Sequence, residues 1–537
     1  MTQSEVQDSS LTGLGSLIRL MLRRDRIRLW AWSGGMGLFA LYVVVAIPTA
    51  YGNVDDLKAA AALFAEPMSR VLIGPAFGFE DPSIEQLVAN GYGLYFGLLA
   101  ALMSIFTVIR HTRADEQTQR AELLRANVVG RHATLTAALI VTVLTNLVSA
   151  VAVVLVALLV GRYPVQGTLL FAAGIALTGL AFAGVAAITA QLSEFSRGAS
   201  GMAGAVLGAV FVVRAGGDMV AVGGSALSWF SPLAWPGQTA PFVLDRWWPL
   251  ALSLVFAILT TALGYWLSTR RDFGASRFQV RAGSSSAPAR WGSALGWAWR
   301  QQRSLIISWT AALAIGALAF GAFAQSLQEA ELPEMFKDVF SSDDLLMGYI
   351  SYMTTFMAYF VAAFSVMAIQ SLRSEETSTL LEPIAAMPLS RTSWLLAQVS
   401  VTAIASAGML LLVGWSAGVG AAFATGKNSL VVDLGWAHLN AVPAVLVVLG
   451  LAALLFGFAP RLIGVTWLVV GYSMFAGSFG GLLNLPQWAL DLSPFAHPAA
   501  MPLEDFALQP VLVLVAIAGA GIALACVGFR RRDISGG

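Results

Sequence analysis

Long apolar runs, separated by short polar breaks marked with arginine, set the pattern of this chain. A helix needs about 20 apolar residues to cross ~30 Å of hydrocarbon. Stretches of that order lie at 30–51, 91–109, 134–160, 167–191, 200–222 and 248–268, and again at 304–324, 349–371, 394–424, 440–458, 462–482 and 510–529. Hydrocarbon offers backbone N–H and C=O groups no partner outside the segment, so each run is predicted to be a helix. The alternation of a membrane β-barrel is absent. The expected fold is an all-α polytopic membrane protein of twelve transmembrane helices, six on each side of a polar joint. The expected domains are a first half over 1–268, a cytoplasmic linker over 269–290 and a second half over 291–537.

Composition narrows the function. Hydrophobic residues make up 57% of the 537 and charged residues only 11%, too few to cover a water-soluble body of this size. A net charge of +1 gives no general attraction to nucleic acid. Cys526 is the only cysteine, which excludes an internal disulfide and a cysteine-rich metal site. His111, His132, His438 and His497 are scattered without ligand spacing. No cleavable signal peptide is expected, because the first apolar run is long enough to stay in the membrane.

Arginine sets the orientation. With the N-terminus inside, 24 of the 31 basic residues fall on inner segments, among them Arg19 to Arg28, Arg110 to Arg131, Arg270 to Arg303 and Arg530 to Arg532. Six fall on outer loops, including all three lysines, Lys58, Lys337 and Lys427. Positive charge is retained on the cytoplasmic side, so both termini are expected in the cytoplasm of a bacterial plasma-membrane protein.

The halves read as copies. Residues 113–131 are RADEQTQRAELLRANVVGR and residues 373–391 are RSEETSTLLEPIAAMPLSR. At an offset of 260, Arg113, Glu116, Glu122, Ala126 and Arg131 meet Arg373, Glu376, Glu382, Ala386 and Arg391. Both stretches follow the second helix of their half. SPLAWP (231–236) is echoed by SPFAHP (493–498) at an offset of 262, and each half closes on Arg-Arg-Asp. An even number of helices per copy makes these parallel repeats. Before each first span stands an amphipathic basic stretch, Leu14 to Trp32 and Trp291 to Arg303, expected as an interfacial helix. A basic stop alone would explain the arginines but not the repeated tryptophans.

The two inner loops, 110–133 and 372–393, stand in water and suit contact with a cytoplasmic partner rather than an apolar ligand. A merely solvated turn is the plainer alternative, and the repetition argues against it. The second loop, E-E-T-S-T-L-L-E-P-I-A-A-M-P-L-S-R, resembles the stretch after the second helix of type-2 ATP-binding-cassette exporter permeases. Glu375, Glu376, Glu382, Pro388, Ser390 and Arg391 match that pattern, with Ser378 in place of glycine and Pro383 inserted. The first loop keeps Glu116, Glu122, Leu123, Leu124, Gly130 and Arg131, with Val128 at the proline position. The single-chain duplication, with an acidic outer loop after the seventh helix, is similar to actinobacterial polyketide (tetronasin-type) antibiotic exporters.

The resemblance implies that each loop is a coupling helix docking on an ATPase, with Glu116, Glu122, Leu124, Arg131, Glu376, Glu382, Pro388 and Arg391 as contacts. It implies two copies of a separate cytoplasmic ATP-binding-cassette ATPase holding ATP and Mg, since this chain lacks a P-loop. The nearest approach, Gly426-Lys427-Asn428, misses the first glycine and the hydroxyl. No cofactor of its own and no catalytic residue are expected.

Arg214 and Asp218 stand inside the fifth span. Arginine near the bilayer centre costs ~2.5–3.5 kcal/mol, and i,i+4 spacing puts the carboxylate within reach. A self-satisfied pair and a polar point on a translocation path are equally open readings, with Tyr472 and Phe475 offering an apolar wall in the second half. Ser231–Phe242 and Leu485–Pro502 are too short to span; they read as re-entrant segments capping the outer side or as interfacial loops. The expected function is the permease subunit of an exporter that moves small hydrophobic or amphipathic compounds, drug- or polyketide-like, out of the cell, with membrane lipid as a further partner. The rival class is a six-plus-six secondary transporter, but its G-x-x-x-D-R-x-G-R-R signature is missing from the loop after the second helix. An intramembrane enzyme would need paired His, Asp or Glu within a span, and none is present.

Overall fold

The computed structural model describes residues 10–51, 53–118, 129–270, 288, 291–324, 345–377, 389–480 and 485–533. The described residues are helical with short connections, and they divide into two compact units, Met1–Ala282 and Gly283–Gly537. Eleven helices in the described residues are long and apolar enough to cross a membrane. Large apolar side chains such as Leu38, Leu155, Ile258 and Ile404 stand exposed on them, as a lipid-facing surface requires.

In the first unit, α1 (Leu14–Arg24) is a separate helix, ended at Asp25, and α2 (Arg26–Ala50) is the first span. Leu17 and Met21 of α1 pack on Ala133, Ala137 and Val141, while Arg19 and Arg23 are exposed. This is the amphipathic arrangement of an interfacial helix. Two short helices follow, α3 (Val54–Ala65) and α4 (Pro67–Ile73). The remaining spans are α5 (Ile84–Ile109), α6 (Ala133–Leu159), α7 (Val165–Leu192), α8 (Ser196–Val220) and α9 (Trp248–Thr269). The glycine- and alanine-rich α7 is the centre and touches α5, α6, α8 and α9. Small residues permit that close approach.

The second unit holds α10 (Ala294–Ala322), α11 (Leu345–Thr377), α12 (Arg391–Thr425), α13 (Leu430–Asn440), α14 (Val442–Phe458), α15 (Thr466–Phe479) and α16 (Leu508–Arg531). Gly321 on α10 faces the carbonyl of Ala417, and Gly420 on α12 faces that of Leu318, at distances no Cβ could occupy. Gly450 and Gly457 seat α14 against Ala518 and Ala525 of α16 in the same way.

Two expectations change in detail. The second interfacial helix is not a separate element, because Trp297 to Arg303 form the first turns of the continuous α10. The first half breaks at Asp25, which leaves helical geometry at ψ 15° with its carboxylate held by Arg110. The second half has Arg300-Gln301-Gln302-Arg303 instead, four good helix formers. The eleventh predicted span, 462–482, is a 3₁₀ stretch, Pro460–Val465, leading into the 14-residue α15. At ~2.0 and ~1.5 Å rise per residue the two together reach about 33 Å, roughly the thickness of the hydrocarbon.

Candidate functional site

At the arginine-rich end of the first unit, α5 continues through a π-helical turn, Arg110–Ala114, into Asp115–Gln117. Such turns re-aim side chains and are frequent at functional positions. Here the turn faces the α1–α2 junction. Arg24 reaches both carboxylate oxygens of Asp115, at 3.0 and 2.9 Å, and lies 2.8 Å from His111 Nδ1. Arg110 grips Asp25 at 2.6 and 2.9 Å, and His111 Nε2 is 3.3 Å from the same carboxylate. Burial pushes the Asp25 carboxyl up. The Arg110 hydrogen bond, the nearby His111 and the charges of Arg110 and Arg24 outweigh it and hold the group below its ordinary value. Two arginines thus interleave with two carboxylates, which keeps a buried network charge-balanced.

The equivalent end of the second unit uses amides. Asp115 is repeat-matched with Glu375, which accepts from Gln301 Nε2. Gln301 Oε1 accepts in turn from Gln398, and Gln302 bonds Gln398 and Thr402.

The proposed coupling contacts fall around these ends. Glu116 pairs with the buried Arg113, whose Nε donates to the Glu194 carbonyl at 2.9 Å. Glu376, its repeat partner, pairs instead with Arg532 at 2.6 and 2.9 Å. Arg131 donates to the Thr269 carbonyl ending α9, and Arg391 donates to the Arg532 carbonyl just beyond α16, the latter at 2.8 Å. The two repeat-matched arginines therefore cap the last helix of their own half, where cations meet free carbonyls. Glu122, Leu124, Glu382 and Pro388 lie outside the described residues.

At the opposite end of the first unit, Arg214 and Asp218 are buried and 3.3 Å apart. Asp218 also accepts from Ser228 Oγ at 2.6 Å, and Arg214 donates to the Val71 carbonyl. Arg70, counted in the sequence only as an outer-loop charge, lies on the short helix α4, is buried too and donates to the carbonyls of Asp218 and Met219 at 2.9 and 2.8 Å. The pair lines a cavity of about 50 Å³ with Asn90, Thr178, Leu233 and Pro236, room for a few waters.

Segment 231–242 dips under the helix ends. Ser231 Oγ bonds the Val210 carbonyl at 2.6 Å, ten residues or about 15 Å below the end of α8. Leu233 packs among Ala101, Ile105 and Phe182. This is re-entrant geometry rather than a surface loop. In the second unit Phe495 and Pro498, repeat-matched with Leu233 and Pro236, line a smaller cavity of about 20 Å³ with Ser351, Thr354 and Asn440. No charge lines that one. Tyr472 donates to the Ala489 carbonyl, and Phe475 is exposed on the same helix.

Helix length, apolar exposure and burial of polar groups at re-entrant segments define a multi-pass α-helical membrane protein. The chain belongs to the family described as multidrug efflux system permease Rv1217c, C-terminal domain, whose model matches residues 14–267 and 292–530. It is 34% identical over 535 residues to the multidrug efflux system permease protein Rv1217c of Mycobacterium tuberculosis (strain ATCC 25618 / H37Rv), covering 98% of this chain and 96% of that protein. Membership makes it a transport permease rather than a catalytic subunit.

Proposed function

We propose that the chain is the permease subunit of a type-2 ATP-binding-cassette exporter in the bacterial plasma membrane, with both termini cytoplasmic. It takes hydrophobic or amphipathic compounds from the lipid phase, in the manner of the duplicated polyketide (tetronasin-type) exporters. Two copies of a separate ATPase, carrying ATP and Mg, dock on the segments centred on Glu122 and Glu382. One observation carries this reading. Repeat-matched Arg131 and Arg391 make the same contact, each tying the far end of an inner loop to the end of the last helix of its half. Two inner loops anchored alike suit two like partners, and a rigid anchor lets motion at the loop reach the spans.

The test is copurification of an ATPase with the full chain from native membrane, comparing wild type with the Glu122→Lys, Glu382→Lys double variant. The reading expects an ATPase with wild type and its loss from the variant. A wild-type chain that brings down no ATPase in detergent or nanodisc sinks it.

A further inference from the structure

Segment 376–391 of the second half begins and ends on the same residue. At its start, Glu376 is 2% exposed and takes both terminal nitrogens of Arg532, at 2.6 and 2.9 Å. At its end, Arg391 Nη1 donates to the Arg532 backbone carbonyl at 2.8 Å. The two contacts come from different parts of one residue, so neither displaces the other. Paired bonds between a guanidinium and a carboxylate fix orientation as well as distance. The Arg532 guanidinium also stands 5.5 and 5.6 Å from the ring centres of Phe456 and Phe529, a setting suited to its flat cation.

Those rings are themselves seated. Phe529 stacks on Trp394 at 5.6 Å and lies 5.4 Å from Phe456. Trp394 opens α12 and Phe456 closes α14, so Arg532 rests on a platform drawn from three helices. In the first half the start of the matching segment is held differently, by Arg113 and by Arg24 of the interfacial helix.

We propose that Arg532 is a positioning residue for energy coupling. Arg532, just beyond α16, clamps the base of the second inner loop, so that force applied there is delivered to α11, α12 and α16 together. This rests on the exporter reading above, which assigns that loop to an ATPase.

The experiment uses the full permease with its copurifying ATPase, reconstituted in liposomes, and measures ATP hydrolysis and the amount of ATPase retained. The variants are Arg532→Gln, Glu376→Gln, Arg532→Lys and the swap Glu376→Arg with Arg532→Glu. We expect hydrolysis to fall about tenfold in each neutral variant, within the range by which residues lying between two sites modulate their coupling, and Arg532→Gln, which is no docking contact, to keep its ATPase. The swap is expected to recover most of the activity, and Arg532→Lys, a point charge without the fork, only part of it. Wild-type hydrolysis in either neutral variant overturns the clamp while leaving the exporter reading intact, as does a swap no better than the single variants. Absence of an ATPase from the wild-type preparation overturns both. Should the neutral variants aggregate, the swap and Arg532→Lys decide the matter alone.

Discussion

Arg24 holds Asp115 through both carboxylate oxygens, at 3.0 and 2.9 Å, across 91 residues of chain. The pair fastens the interfacial helix α1 to the foot of the second span. Asp115 is buried and Arg24 mostly so, which means that removing either partner strands the other. Arg24→Gln or Asp115→Asn is expected to cost about 2–3 kcal/mol. The double variant should cost clearly less than the sum, as read from thermal unfolding of the purified protein.

Asp25 gives a pH signature. Its carboxyl is held below the ordinary value of 3.8, so its ionised form is favoured by folding. That contribution is complete above the unfolded value and is lost as pH falls below about 4 through the folded one. Wild type and Asp25→Asn should therefore differ in melting temperature at neutral pH and converge at the acid end. A difference that stays constant down to pH 3 would contradict the Arg110–Asp25 geometry.

The Arg214–Asp218 pair should behave as buried pairs do. Arg214→Leu leaves a carboxylate without its cation in an apolar bundle, at a cost of about 3–5 kcal/mol. Arg214→Leu with Asp218→Leu removes both charges and should be milder than Arg214→Leu alone. Denaturant titration of wild type, both single variants (Asp218→Leu included) and the double variant reads the order directly. An additive double variant would mean that the two side chains do not depend on each other.

Helix packing in the second half offers a steric test. A Cβ built on Gly321 would lie 2.0 Å from the Ala417 carbonyl oxygen, and one on Gly420 would lie 2.2 Å from that of Leu318. Neither obstacle is a movable side chain. Gly321→Ala and Gly420→Ala should each cost about 1–3 kcal/mol by forcing α10 and α12 apart. Gly316→Ala, where no atom lies within 4 Å, serves as the control and should be neutral.

Much of this is legible in the sequence, because a bilayer constrains a chain more tightly than water does. Run length alone placed the spans, since hydrocarbon forbids unpaired backbone. The eleventh is the informative departure: Pro460 opens a 3₁₀ stretch, and apolar content is blind to that change of pitch. The repeat was legible in Arg131 and Arg391, but their shared contact with the end of the last helix of their half was not. It did not foretell that Glu116 and Glu376 would take different partners. Matched positions fix where a carboxylate starts, while the neighbour it meets is set by helices far away in sequence.

The sequence by itself determined that this is a twofold-repeated helical membrane protein, because apolar length, arginine placement and repetition are one-dimensional properties. Only the tertiary structure decided which charges are bound to which. Arg24 to Asp115, Arg70 to the end of α8 and Arg532 to Glu376 span from 91 to 156 residues. A buried charge must find its partner wherever packing brings one, and sequence spacing reports such a partner only within a turn or two of helix.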